Sequence, residues 1–269
     1  MENITTVDQE ETSEVRQAKI EKLNKKIEKK EKKEKSGWFG LVMAIVAALA
    51  IRALGFEPYN IPSSSMVPSL LIGDYLFITK FDYGYSRFSF IAPFSSLLPH
   101  GRLFYIQPER GDIVVFRKPP ENNTDYIKRV IGIPGDTIQL TAGRLYINNQ
   151  LVQRENQGQE YWDTEAGHTL YTRYKETLPN GVSHDIYEIS DNGKYDETAP
   201  IEVPENHFFM MGDNRDNSLD SRYFGTVPAE NLEGKARLIF YSTNGGGWFF
   251  QFWKWSEFLR LERFFTDIK

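Results

Sequence analysis

Asp125-Tyr126-Ile127-Lys128-Arg129-Val130-Ile131-Gly132-Ile133, followed by Pro134-Gly135-Asp136, decides how this chain is read. The first nine residues are rich in β-branched and aromatic side chains over the length of one strand, and Gly135-Asp136 is a turn dipeptide. The same texture extends on both sides. Tyr75–Lys80, Asp112–Phe116, Thr137–Leu140 and Arg144–Ile147 read as short strands, set off by Gly73-Asp74, Gly111-Asp112 and Asn148-Asn149. Further strands are predicted at Asp185–Ile189, His207–Met211 and Lys235–Tyr241. No helix-length periodic segment lies outside the termini, and no internal repeat is present. The body is therefore predicted to be mainly β, a compact barrel-like or sandwich domain. Residues 151–202 are more polar, with few aliphatic side chains. They read as an insertion, either a small β-rich subdomain or an irregular excursion.

Working outward, the ends differ from the body. Residues 1–37 carry 10 Lys+Arg against 9 Asp+Glu, while residues 53–269 carry 21 against 28. An acidic body argues against a nucleic-acid groove, which needs clustered cations. Between them, Trp38 to Ile51 is an unbroken apolar run that continues through Arg52 to Phe56. Nineteen helical residues span roughly 28 Å, close to the hydrocarbon thickness of a bilayer. Arg52 stands near the far end, where its guanidinium reaches the headgroups. A cleaved signal peptide is the rival reading, because Ala47-Ala48-Leu49-Ala50 has a small-x-small pattern. The 37 residues before the apolar run are too many for an ordinary signal sequence, so a retained anchor is favoured. The lysine-rich side then faces the cytoplasm and the main body lies outside. At the other end, Trp248 to Phe265 holds nine aromatic residues, including Trp248, Trp253 and Trp255. Phe258, Leu261, Phe265 and Ile268 form an apolar stripe opposite Arg260, Arg263 and Asp267. This predicts a helix, packed either on the core or at a membrane interface.

The absence of cysteine from all 269 residues removes disulfides, thiolate metal sites and cysteine nucleophiles. Of the four histidines, His100, His168, His184 and His207, none sits in a G-x-S-x-G elbow and no two have metal-ligand spacing. The acidic run Asp213–Asp220 is not a calcium loop: started at Asp216, it has Ser221 at the turn-glycine position and Val227 at the bidentate-Glu position. What remains is serine with lysine. Ser63, Ser64 and Ser65 lie in a loop stiffened by Pro62 and Pro68, just past the anchor. Such a stretch is equally a linker. Lys128 lies in a strand with apolar residues on both faces. If its side is buried, desolvation lowers its pKa toward the range of a general base; otherwise it is an edge residue whose amine reaches water.

Four stretches, taken together and in order, resemble the bacterial type I signal peptidases (leader peptidases). Pro62-Ser63-Ser64-Ser65-Met66-Val67-Pro68-Ser69-Leu70 resembles that family's P-S-x-S-M-x-P-T-L box. Arg110-Gly111-Asp112-Ile113-Val114-Val115-Phe116 follows, then Tyr126-Ile127-Lys128-Arg129 leading to Gly132–Asp136, then Gly212-Asp213-Asn214-Arg215-Asp216-Asn217-Ser218-Leu219-Asp220-Ser221-Arg222. The resemblance implies Ser65 as nucleophile and Lys128 as general base. Ser63 falls at the oxyanion-hole hydroxyl, and Ser218 at the serine that orients the lysine. Asp220 and Arg222 match a pair that supports the site, and Ile61, Tyr126 and Ile127 match the substrate cleft. Ser64 stands where glycine is common and Ser69 where threonine is usual.

The implied organisation is a cytoplasmic charged tail (1–37), a transmembrane anchor (38–56), a serine–lysine catalytic domain (57–150 and 203–247), an inserted subdomain (151–202) and an aromatic amphipathic C-terminal segment (248–269). The implied activity is removal of signal peptides from exported preproteins after small-x-small sites, at the outer face of the bacterial cytoplasmic membrane and near the secretion translocon. No cofactor or metal is expected, and no nucleic-acid partner. Alternatives are a serine–lysine peptidase with one dedicated substrate, and a membrane-tethered β domain that binds without catalysis.

Overall fold

A computed structural model describes residues 4–90, 100–164, 167–245 and 258–268. The chain divides into two units, residues 1–51 and 52–269. The first is built from α1 (Ile4–Leu54), a single helix whose described side chains are exposed. It runs without a break through Ser36-Gly37, where the sequence reading placed the junction between tail and apolar run. Lys and Glu are good helix formers, and pairs such as Lys25 with Glu21 (2.6 Å) favour continuing the helix. The stretch Glu21–Arg52 is long and apolar enough to cross a membrane.

The second unit is mainly β, as predicted. β1 (Phe56–Asn60) was not expected and takes in Phe56, the last residue of the expected anchor, while β2 (Asp74–Thr79), β3 (Ile113–Arg117) and β4 (Asp125–Gly132) fall close to the expected positions. β5 (Thr137–Thr141), β6 (Arg144–Ile147) and β7 (Gln150–Leu151) follow, then β8 (Gln153–Thr164), β9 (Gly167–Thr177) and β10 (Ser183–Glu188). After them come β11 (Ile201–Glu202), β12 (His207–Met211), the one-turn α2 (Ser221–Phe224), β13 (Val227–Pro228), β14 (Leu232–Ser242) and β15 (Thr266–Asp267). The main sheet is a curled half-barrel in the order β1-β2-β14-β3-β4-β12-β13, with β15 added to β14. β11-β5-β6-β7 and β10-β9-β8 form two smaller sheets. The boundary drawn at 150/151 thus falls inside β7, which pairs with β6, and β11 from residues 151–202 joins that same sheet through β5.

Both faces of β4 are covered, which explains its continuous apolar character. Val130 joins a cluster with Val114, Phe116, Phe208 and Met210, with Tyr126 packed against it. Ile127 packs on the opposite cluster of Ile61, Met66, Leu70, Leu76 and Val115. Ile131 belongs to a third with Ile138, Leu140, Phe209 and Met211. Two backbone edges near this strand are left open. β12 pairs with β4 only at Arg129, Val130 and Gly132, and among the described residues β1 pairs only with β2.

The helix predicted from the stripe Phe258, Leu261, Phe265 and Ile268 is not formed. The segment makes a 3-10 turn at Leu261–Arg263 and then β15 on the flank of β14, with Ile268 N donating to Arg237 O at 2.8 Å. Phe258 is buried and Ile268 packs on the core, while Leu261 and Phe265 face solvent. Arg260 and Arg263 lead to Ser242, Ile72, Ser69 and Asp74. Sheet pairing and these anchors outweigh the helical spacing of four apolar residues. Trp248, Trp253 and Trp255 lie outside the described residues.

Candidate active site

Ser65 follows β1 in a turn closed by Val67 N to Ser64 O (3.1 Å) and Leu70 N to Met66 O (2.8 Å). Met66, Val67 and Leu70 are fully buried and fix the turn from below. A second loop, residues 212–220, fixes it from the side. Asn214 donates its backbone N–H to Ser65 O (3.1 Å) and its side-chain amide to Ser64 O (3.2 Å). Asn217 donates to Ser64 Oγ at 2.7 Å, so the hydroxyl present where the family commonly has glycine is absorbed by a hydrogen bond. At Gly212 an added Cβ would lie 2.3 Å from Ser218 Oγ and 2.5 Å from Ser65 O, a space only glycine leaves open.

From β4, Lys128 reaches this turn. Its Nζ donates to Ser65 Oγ at 2.6 Å and to Ile127 O at 3.0 Å, and stands 5.5 Å from the centre of the Tyr126 ring. Ser65 is 8% exposed and Lys128 3%. Burial pushes the lysine pKa down from 10.5 to about 8; Arg222 adds to the fall, and Asp220 and Asp213 oppose it. A serine hydroxyl against a desolvated amine is an arrangement suited to nucleophilic catalysis.

The other expected residues gather around this pair. Ser63 is exposed, with Oγ 3.4 Å from Ser65 Oγ. Ser218 lines the same cleft, but its buried hydroxyl is not bonded to the Lys128 amine, which is held by Ile127 O instead; it lies toward Asp220 and helps to lower that carboxyl. Asp220 caps α2 through Arg222 N and receives the Arg222 guanidinium at 2.9 Å; its second oxygen accepts from Gly212 N at 3.0 Å. Although burial opposes it, the adjacent guanidinium holds the Asp220 carboxyl below its ordinary range. Ile61, Tyr126 and Ile127 line a cleft of about 690 Å³ that contains Ser65 and Lys128.

The sequence reading missed the frame behind the cleft. Arg129, next to Lys128 but on the other face, is fully buried and forms a bidentate pair with Asp213 at 2.9 and 2.8 Å. It also reaches Gly111 O (2.7 Å) and Ser69 Oγ (3.2 Å), so one guanidinium joins all four motif stretches. Arg215 is clasped by Glu176 of β9, with His184 of β10 3.4 Å from the same carboxylate. The Arg215 charge holds Glu176 ionised against the cost of its burial, far below the ordinary carboxylate range, with the His184 ring adding to the effect. Burial lowers the His184 pKa, with Arg129 adding to the effect. A signal did exist: each of these motifs carries charge inside an apolar or Gly/Asn-rich setting where unpaired charge is not tolerated.

Comparison with known proteins shows the family. The family described as "Signal peptidase, peptidase S26" matches residues 36–241. The chain belongs to this family. Signal peptidase I of Rickettsia akari (strain Hartford) is 41% identical over 249 residues, covering 86% of this chain and 92% of the relative. The Rickettsia conorii (strain ATCC VR-613 / Malish 7) protein of the same name matches at the same identity and coverage. A solved signal peptidase I from Enterococcus faecalis V583 is 28% identical, covering 48% of this chain and 97% of its own, with a TM-score of 0.29.

Proposed function

We propose that this protein is a membrane-anchored endopeptidase that removes signal peptides from exported preproteins, with Ser65 as nucleophile and Lys128 as general base. The observation carrying this reading is the 2.6 Å contact between Ser65 Oγ and an Nζ whose pKa burial has brought to about 8. In the neutral amine the hydrogen bond reverses, and Ser65 Oγ–H donates to Lys128 Nζ. The Ser65 proton passes to Nζ as Oγ bonds to the scissile carbonyl carbon. The C–N bond then breaks, and Lys128 hands the proton to the leaving amine. Water attacks the resulting ester, giving a proton to Nζ, and Ser65 is regenerated when that proton returns to Oγ. The tetrahedral oxyanion is held by Ser65 N–H and the Ser63 hydroxyl, each donor contributing about 3 kcal/mol. Asp220 and Arg222 hold Gly212 and the loop bearing Ser218 against the base.

The open edges of β1 and of the first half of β4 suit an extended peptide inserted as a strand. The −1 and −3 side chains of the substrate then lie beside Asp125–Ile127, with Ile61 and Ile127 limiting them to small residues. The apolar half of α1 supplies the anchor in the bacterial cytoplasmic membrane, with the lysine-rich residues on the cytoplasmic side and access to preproteins leaving the secretion translocon.

Purified protein incubated with a preprotein carrying an Ala-x-Ala site should release the mature chain, and Ser65→Ala should release none. Intact preprotein with the wild-type enzyme, or cleavage by Ser65→Ala, would refute the assignment.

A further inference from the structure

Beyond Asp125 the catalytic cleft adjoins a second pocket of about 550 Å³; Tyr59, Asn60 and Asp125 line both. The charges in this pocket are unevenly paired. At its far end Glu57 meets two cations, Arg52 and Lys80, each at 2.8 Å, and Lys80 also donates to Ser89 O at 2.7 Å. At the end nearer the cleft the ratio is reversed. Asp125 and Glu233 share one guanidinium, that of Arg117, at 3.0 and 2.6 Å. Glu233 is 2% exposed, and its other oxygen accepts from the Tyr59 hydroxyl. Two carboxylates on one arginine leave an excess of negative charge beside an open space. Burial raises both carboxyls; Glu57 adds to the rise at Asp125, and Asp125 to that at Glu233.

We propose that this pocket is a specificity subsite for a lysine or arginine of the substrate, four to six residues upstream of the scissile bond. The proposal rests on the peptide orientation given above. With the −3 residue beside Asp125, each further residue advances about 3.3 Å along the strand direction. The −4 to −6 positions then pass Asp125 and enter the pocket. The Phe88 and Phe90 side chains on its wall suit the aliphatic stem of a long basic residue, whose head meets Asp125 and Glu233.

The test uses the full-length protein in detergent and peptides with one Ala-x-Ala site, bearing Lys, Ala or Glu singly at −4, −5 or −6. Lysine at one of these positions should raise kcat/KM about tenfold over alanine, and glutamate should not. The gain should shrink at high salt. Glu233→Gln leaves Arg117 matched by Asp125 alone and should bring the lysine-to-alanine ratio near one. Asp125→Asn should do the same and serves if Glu233→Gln melts early. Equal rates for lysine and alanine at all three positions, a gain with glutamate, or a lysine preference that survives both substitutions would overturn the subsite. With Glu233→Gln, loss of the subsite alone leaves the alanine peptide cleaved. Failure to cleave any peptide removes the peptidase reading, and this proposal with it.

Discussion

Lys128 and Arg129 are neighbours on β4, equally buried, and on opposite faces of the sheet. On the closed face, Arg129 has a carboxylate in bidentate contact, a carbonyl and a hydroxyl. On the cleft face, Lys128 has a serine hydroxyl and a carbonyl, and no carboxylate within salt-bridge distance among the described residues. The difference decides what each cation is for. A buried charge given its counter-ion stays charged and fixes geometry. A buried charge denied one loses its proton near neutral pH and becomes a base. On the proposed mechanism, the same strand builds the frame on one side and supplies the base on the other.

The comparison breaks most visibly at Lys128. Guanidinium stays protonated at any workable pH, so Lys128→Arg should be as inactive as Lys128→Ala, with both losing at least about 10³-fold in kcat/KM. If the depressed lysine is the free enzyme's base, wild-type kcat/KM should rise through about pH 8 and level off well below pH 10. An active arginine variant, or activity still climbing at pH 10, would make Lys128 a source of charge rather than a base.

On the other face, Asp213→Ala takes the bidentate carboxylate away from the buried Arg129. Breaking a buried pair from one side costs about 3–5 kcal/mol, so unfolding should shift well downward. Replacing both partners with apolar residues, Arg129→Met with Asp213→Leu, should recover much of that loss. A cost under about 1 kcal/mol for Asp213→Ala would mean that the frame does not depend on this pair.

The two faces were not equally legible. Gly-Asp turns and β-branched runs placed β2, β3, β4, β12 and β14 of the main sheet to within a few residues, because a strand buried on both sides is written in contiguous residues, while β1, β13 and β15 went unread. The serine loop and Lys128 were readable as a motif. The ion pairs were not: Glu176 meets Arg215 across 39 positions, and no local pattern states which carboxylate reaches which guanidinium. Residues 151–202 read only as an insertion, a β-rich subdomain or an irregular excursion, because β8 and β9 are long and polar. Their contribution, Glu176 and His184 against the 212–220 loop, depends on where the hairpin folds back. The C-terminal stripe misled for a related reason: four apolar residues at helical spacing matched a periodicity, and the edge of β14 offered a pairing that no local spacing encodes.

The smallest effect is also the most discriminating. If Lys128 is kept short of charge partners, its burial must lower stability while both states of the protein would otherwise hold the proton. Its pKa falls from 10.5 unfolded to about 8 folded. Below pH 8 both states bind the proton, and the folded state bears the full cost of a buried ammonium, about 3 kcal/mol at 1.36 kcal/mol per unit. Between pH 8 and 10.5 the folded protein has lost the proton and the unfolded chain has not, so stability rises with pH. Above 10.5 both are neutral and the cost is gone. Lys128→Met, similar in length and uncharged, should therefore be inactive yet more stable than the wild type at pH 7, by up to about 3 kcal/mol. That advantage should fade to near zero by pH 10.5. The measurement is the difference in unfolding free energy between the two proteins across this range, which cancels the titration of every other group. A methionine variant that is no more stable at pH 7, or an advantage that persists unchanged at pH 10.5, would show that Lys128 carries no electrostatic penalty. The contrast with Arg129 would then fail on the cleft side.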